Sequence, residues 1–128
     1  MKNNYSDGLI ANPGTRLDAD GLTFDVRLPW YRSLPLSVVE FASLRIDDRE
    51  VPLDGAELEV NGKRFKLAEL SNLTDEWWFV LDSGYLHVPP AGLQATQRHE
   101  AALLCKLYPP YIPMLTWTTR GTASLPPQ

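Results

Sequence analysis

Hydrophobic and polar positions alternate in short runs along most of this chain, the period-2 pattern of half-buried strands. Residues 24–28 place Phe24, Val26 and Leu28 on one face and Asp25 and Arg27 on the other. Residues 37–47 form the longest apolar-rich strand candidate, but Val39 and Phe41 share one parity and Leu44 and Ile46 the other, which predicts a β-bulge near Ala42 or Ser43. Asp47 and Asp48 then turn the chain into a short strand over 49–52. The sharpest local signal is Asn61-Gly62, a dipeptide suited to a two-residue hairpin turn because both positions tolerate positive φ. That turn sets Leu58 against Phe65 on one face and Glu59 against Arg64 and Glu57 against Lys66 on the other, so apolar meets apolar and acid meets base.

Later segments extend the pattern. Residues 68–73 favour about one helical turn. The run EWWFVL at 76–81 is continuously apolar after its first residue, as in a strand covered on both faces. Asp82-Ser83-Gly84 turns into a strand over 85–88, with Leu86 and Val88 facing one way and Tyr85 and His87 the other. Residues 96–107 fit a helix or a strand; agreement with the surrounding β-elements selects the strand, with Ala101, Leu103, Cys105 and Leu107 on one face. A last strand is expected over 114–120. Eight or nine short strands with regular turn signals predict an all-β fold, an antiparallel two-sheet β-sandwich. Residues 1–20 read as an N-terminal arm or edge strand, 21–120 as a single sandwich domain and 121–128 as a C-terminal tail.

Composition narrows the function classes. With 128 residues the chain suffices for one self-supporting core, and 11 Pro and 8 Gly agree with many turns and few long helices. The net charge of -4 comes from 12 basic and 16 acidic residues interspersed along the chain, so no basic stripe invites nucleic acid. The absence of an apolar stretch long enough for a signal peptide or a membrane span leads to the expectation of a soluble, cytoplasmic protein with no membrane partner. The single cysteine, Cys105, forbids an internal disulfide.

No catalytic constellation is legible. His87 and His99 are the only histidines and show no metal-ligand spacing with Cys105. A lone strand histidine is ordinarily a surface or satisfied residue. The glycines form no phosphate-binding pattern, and the adjacent Asp75 and Glu76 would point to opposite faces of a strand. What stands out instead is two proline-fenced aromatic loops. In the first, Trp30, Tyr31 and Arg32 lie between Pro29 and Pro35; in the second, Tyr108, Tyr111 and Ile112 lie among Pro109, Pro110 and Pro113. A Trp and a Tyr each have roughly 150–250 Å² to bury, and a guanidinium beside them offers stacking and forked hydrogen bonds. Two readings follow: the rings plug the end of this chain's own core, or they bury against a partner or ligand. If the strands preceding the two loops lie side by side, the loops form one platform at one end of the sandwich.

The residues FDVRLPWYRSLPLSVVEFASLRIDDREVP, the later NGKRFKLAEL followed by DEWW, and the TQR and Tyr-Pro elements resemble the small (β) subunit of bacterial C-glycoside deglycosidases. RLPWYRSLPLS is the specific core of a similarity running over about residues 24–117. The resemblance implies a β-sandwich bound to a larger α subunit, itself similar to a xylose-isomerase-type TIM barrel, in αβ units assembled into a larger oligomer. It further implies that the α subunit holds a divalent metal, expected to be manganese, and a catalytic histidine, with no cofactor and no catalytic residue in the present chain. The complex would cleave the carbon–carbon bond between a 3-oxo sugar and an aromatic aglycone such as a flavonoid, after a separate NAD-dependent oxidoreductase has made the ketone. On this resemblance Trp30, Tyr31 and Arg32 are expected to meet the α subunit or rim its active site. Tyr108, Tyr111 and Ile112 join them on loop chemistry alone. The alternative is a stand-alone carbohydrate- or aromatic-ligand-binding sandwich in which Trp30, Tyr31 and Trp78 stack on a ring.

Overall fold

The computed structural model describes residues 9–18, 21–90, 92–93, 97–112 and 114–125, with residues 12–14 and 18 described by their backbone only. Eleven strands occur among them: β1 (Ile10–Asp18), β2 (Gly21–Arg27), β3 (Leu34–Pro35), β4 (Val39–Ile46), β5 (Arg49–Val51), β6 (Glu57–Val60), β7 (Lys63–Lys66), β8 (Trp77–Trp78), β9 (Ser83–Val88), β10 (His99–Leu107) and β11 (Trp117–Leu125). The five-stranded sheet runs β1-β2-β9-β6-β7 and the four-stranded sheet β11-β10-β4-β5, with every pairing antiparallel. A two-stranded ribbon of β3 and β8 stands apart from both. One core holds the inward residues of the two large sheets, among them Phe24, Val26, Leu58 and Leu86 from the first and Leu44, Ile46, Leu103 and Leu107 from the second. The fold is therefore the expected all-β sandwich, with more strands than the eight or nine anticipated.

Several local expectations hold in detail. The β6–β7 register pairs Leu58 with Phe65, Glu59 with Arg64 and Glu57 with Lys66, around Asn61 and Gly62 with φ of 56° and 73°. Asp47 and Asp48 make the next such turn at φ 52° and 66°. The β4–β10 register slips by one residue at Ala42, where the change of parity called for a bulge. Residues 99–107 are a strand, with Ala101, Leu103, Cys105 and Leu107 buried. A 3₁₀ helix, Leu67–Asn72, supplies the short helical connector.

The departures have physical causes. The ion pairs of the β6–β7 hairpin are diagonal: Arg64 Nε meets Glu57 at 2.9 Å, while Glu59 turns to His87 of β9 at 2.8 Å. Long side chains reach the diagonal neighbour, and the sheet offers Glu59 a second partner that the hairpin alone does not. The last strand is Trp117–Leu125, starting later and ending later than expected, because β10 pairs with it along its whole length from Leu107↔Trp117 to His99↔Leu125. In β1 the register shifts between Ala11 and Arg16, around Pro13, which has no N–H to give the ladder. Buried Thr15 bridges that irregularity, its Oγ1 donating to Ala11 O at 3.1 Å and accepting from Asp25 N at 3.2 Å. Of the expected arm or edge strand at 1–20, residues 10–18 are β1, and of the expected tail at 121–128, residues 121–125 belong to β11; residues 1–8, 19–20 and 126–128 lie outside the described residues.

The run EWWFVL is the clearest correction. Only Trp77–Trp78 is strand, and the segment is covered on one face: Trp78 is fully buried, whereas Trp77, Phe79 and Leu81 are exposed. The indole of Trp78 donates to Asp82 O at 3.1 Å, and its ring occupies the space that a side chain at position 84 would fill. A Cβ at Gly84 would stand 2.9 Å from Trp78 Cζ2 and 3.1 Å from Val60 Cγ1. Such overpacking of a core typically costs about 1–3 kcal/mol. Gly84→Ala is therefore expected to destabilise the fold by about that amount in chemical denaturation; an unchanged midpoint and slope would refute the tight fit of the indole on β9.

Candidate functional site

The strands that precede the two aromatic loops belong to different sheets, β2 to the five-stranded and β10 to the four-stranded one, so the side-by-side arrangement is not the one adopted. The loops meet nonetheless, across the top of the sandwich. Residues 28–33 lead from β2 towards the β3 ribbon and β4, the first step in passing from one sheet to the other, and residues 108–116 join β10 to β11 at the same end.

Trp30 is the joint. Its indole N–H donates to the Tyr111 hydroxyl at 2.6 Å, and its ring packs edge-on against Trp117 at 5.3 Å between centroids and tilted against Tyr31 at 5.2 Å. It is partly buried against the core, which realises the plugging reading for this residue. Tyr31 follows the other reading, since 69% of it is exposed. The hydroxyls of Tyr31 and Tyr111 are hydrogen-bonded at 3.2 Å, and the Arg32 guanidinium lies 5.0 Å from the Tyr111 ring centroid and 5.9 Å from that of Tyr31. Four of the six expected residues thus form one cluster: Trp30, Tyr31, Arg32 and Tyr111.

The other two do not join it. Tyr108 is anchored through its backbone N–H to Val38 O and turns its hydroxyl to Glu40 Oε1 at 2.5 Å, on β4. The hydrogen bond to that carboxylate, then burial, raises the Tyr108 phenol above its ordinary value, so it stays protonated. Ile112 is half-exposed, and its N–H closes a turn onto Pro109 O.

A third loop was hidden by the reading of 76–81 as a fully covered strand. Its exposed side chains, Trp77, Phe79 and Leu81, sit at the same end, because β8 pairs with β3 and the backbone N–H of Val80 donates to Ser33 Oγ at 2.9 Å. The tip of the β6–β7 hairpin fixes this segment from the other side. Asn61 Nδ2 donates to Trp77 O at 2.8 Å and to Glu76 Oε2 at 2.9 Å, and Lys63 Nζ pairs with Glu76 at 3.2 Å. The Asn61 and Lys63 contacts hold the Glu76 carboxyl below the usual carboxylate range. No local signal marks these side chains as exposed, because whether a second sheet covers that parity of the run is decided by the tertiary structure. Among the described residues the exposed large apolar side chains are confined to these three loops, with Met114 the last of them.

The remaining polar and titratable side chains singled out in the sequence lie away from this end or are engaged locally. His87 is satisfied by Glu59 and approaches Thr23 Oγ1 at 3.4 Å; His99 is buried with its Nδ1 2.6 Å from Asp47 Oδ2. Cys105 is wholly buried, and burial pushes its thiol up to about 12, which leaves no thiolate for nucleophilic work near neutral pH. Among the described residues no three His, Cys, Asp or Glu side chains converge as metal donors. Trp78 lies beneath the surface, so the ring stack of Trp30, Tyr31 and Trp78 required by a stand-alone binding module does not form. No helix among the described residues is long and apolar enough to cross a membrane.

Comparison with known sequences places the chain in a family. The sequence profile of the C-glycoside deglycosidase beta subunit family matches residues 3–111, which takes in Trp30, Tyr31, Arg32, Trp77 and Tyr111. The chain belongs to that family. It is 39% identical over 106 residues to a C-glycoside deglycosidase beta subunit of Microbacterium trichothecenolyticum, covering 83% of this chain and 80% of that one. A 3'-dehydrocarminate deglycosidase beta subunit of a Microbacterium species is 34% identical over 110 residues, covering 86% and 83%. A C-glycoside deglycosidase beta subunit of Arthrobacter globiformis is 38% identical over 104 residues, covering 80% and 79%.

The cluster has a testable titration. Burial works to raise the Tyr111 phenol, but the hydrogen bonds it shares with Tyr31 and Trp30, together with the Arg32 charge, outweigh burial and hold it below the ordinary 10.0. Tyr31 moves the opposite way, raised first by its hydrogen bond to Tyr111. As the pH rises, one phenol of the wild-type chain is expected to ionise ahead of ordinary tyrosine, with Tyr31 trailing. Phenolate absorbance of Tyr111→Phe should lack the early step and show Tyr31 returning towards the ordinary range; a curve differing only by one unperturbed tyrosine would contradict the cluster.

Proposed function

We propose that this chain is the non-catalytic small subunit of a heteromeric C-glycoside deglycosidase and that its three-loop end docks on a larger, metal-dependent α subunit of TIM-barrel type. The observation that supports it best is that, among the described residues, the exposed large apolar side chains are confined to the three loops at one end of the sandwich, around Trp30 and Tyr111. Interface centres are enriched in aromatic residues and arginine, and prolines on both loops limit the chain entropy lost on docking. Membership of a family named for C-glycoside deglycosidase beta subunits supports the same reading.

In that reaction the substrate is a 3-oxo-C-glucoside of an aromatic aglycone such as a flavonoid. The ketone acidifies the neighbouring C2–H; a base on the α subunit removes that proton, the electron pair forms the C1–C2 double bond, and the C1–aglycone bond breaks. The aglycone carbon leaves with the bonding pair and is protonated. A divalent metal, expected to be manganese and held by the α subunit, supplies Lewis-acid stabilisation of the enolate charge. Trp30, Tyr31, Arg32 and Tyr111 bind and position that partner and exclude water at the contact, and the αβ units assemble further in the cytoplasm.

Production of both subunits together tests this reading. A Trp30→Ala/Tyr31→Ala variant is expected to keep its fold by circular dichroism and lose co-purification with the α subunit, and with it the cleavage of a 3-oxo-C-glucoside. Cleavage by the isolated small chain, or undiminished co-purification of the double variant, would overturn it.

A further inference from the structure

Between the loops lies a small cleft of about 210 Å³, walled by Leu34, Pro35 and Trp77 of the β3–β8 ribbon and by Pro110 and Tyr111 of the 108–116 loop, with Arg32 also lining it. Pockets for drug-sized ligands run to about 300–1,000 Å³. This one is too small for an aryl glycoside and has room for a single large apolar side chain. Its walls are fixed from outside. Trp77 O is held by Asn61, Leu34 and Pro35 are paired with Trp78 and Trp77, and Tyr111 is held by Trp30 and Tyr31.

Arg32 gives the cleft a sign. Its guanidinium rests on the Tyr111 ring and makes no ion pair with a carboxylate among the described residues. The loop segments 28–33 and 108–116 contain no acidic residue, and the nearby Glu76 is engaged by Lys63 and Asn61. A cation pre-ordered by stacking loses little freedom when it meets a carboxylate, and its planar fork suits two parallel hydrogen bonds. Apolar walls around that fork strengthen the pair by excluding water.

We infer that this cleft is a socket for one apolar side chain of the larger subunit, presented beside an Asp or Glu that pairs with Arg32. The inference rests on the subunit role proposed above and adds to it the chemistry of the opposing surface: an apolar knob flanked by a carboxylate. The knob buries itself between the Trp77 and Tyr111 rings, and the carboxylate sets its orientation. Arg32 and Trp77 then act as anchors of assembly, and neither touches the sugar or the aglycone.

The test measures affinity between the two intact subunits at increasing ionic strength. Arg32→Gln is expected to weaken assembly by about tenfold or more at low ionic strength and to flatten the salt dependence, since a charge pair has been removed. Trp77→Ala removes a wall of the socket and should weaken assembly comparably while leaving the salt dependence in place. Both residues are exposed enough for the fold to persist, which thermal melts check. Wild-type affinity or wild-type salt dependence in Arg32→Gln would overturn the carboxylate, and wild-type affinity in Trp77→Ala would overturn the knob. Arg32→Gln that assembles normally yet raises KM would place the guanidinium on substrate and overturn the inference as well. If the wild-type chain fails to bind the larger subunit at all, the subunit role fails first, and that result is distinguishable from each of the others.

Discussion

The 2.6 Å hydrogen bond from the Trp30 indole to the Tyr111 hydroxyl ties a loop that leaves one sheet to a loop that leaves the other. Without such a tie the two connections would be independent, each with the loop mobility that functional surfaces must suppress before they can bind with little entropic penalty. With it, one ring does two jobs. The inner face of Trp30 closes the end of the core against Trp117, and its N–H positions Tyr111, which in turn positions Tyr31 and Arg32. Tyr31 and Arg32, next along the bend, are both exposed.

The scaffold beneath serves the same end. The β6–β7 hairpin owes its turn to Asn61 and Gly62, and the Asn61 side chain goes on to hold the backbone of Trp77. Trp78, next along, sinks into the space left by Gly84 and Val60, which turns Trp77 and Phe79 towards solvent. A residue chosen for its turn conformation and a glycine chosen for its lack of a side chain thus both contribute to an exposed apolar surface far from either in sequence. Surfaces of this kind on a small protein mark a contact with another molecule, because water is a poor cover for several adjacent large rings. Both histidines are engaged structurally, His99 with Asp47 and His87 with Glu59, and the one thiol is sealed in the core.

Local patterns were legible wherever a strand buries one face and a turn demands special backbone angles. The 57–67 hairpin, the Asp47-Asp48 turn, the Ala42 bulge and the choice of strand over helix at 99–107 all follow from parity and turn chemistry. The same logic failed at 76–81, because an apolar run looks alike whether its second face is covered by a sheet or left for a partner. Ion pairs in the hairpin also escaped it, since a strand's second neighbour is invisible from the hairpin alone. Of the candidate surface, the chemistry of Trp30, Tyr31 and Arg32 was legible from composition and from the family resemblance, while the contributions of Trp77, Phe79 and Asn61 were not.

The amino-acid order by itself determined most of the longer strands and their turns, the inward face of those that bury one side, and the presence of two stiff aromatic loops, because these depend on residues within a few positions of one another. Only the tertiary structure decided that the loops of opposite sheets meet, that Tyr111 joins the cluster while Tyr108 turns away to Glu40, and that Trp78 hides while Trp77 shows. The reason is physical: which ring is buried depends on the space left by distant strands, and alternation along a strand assigns sides without saying what stands on each.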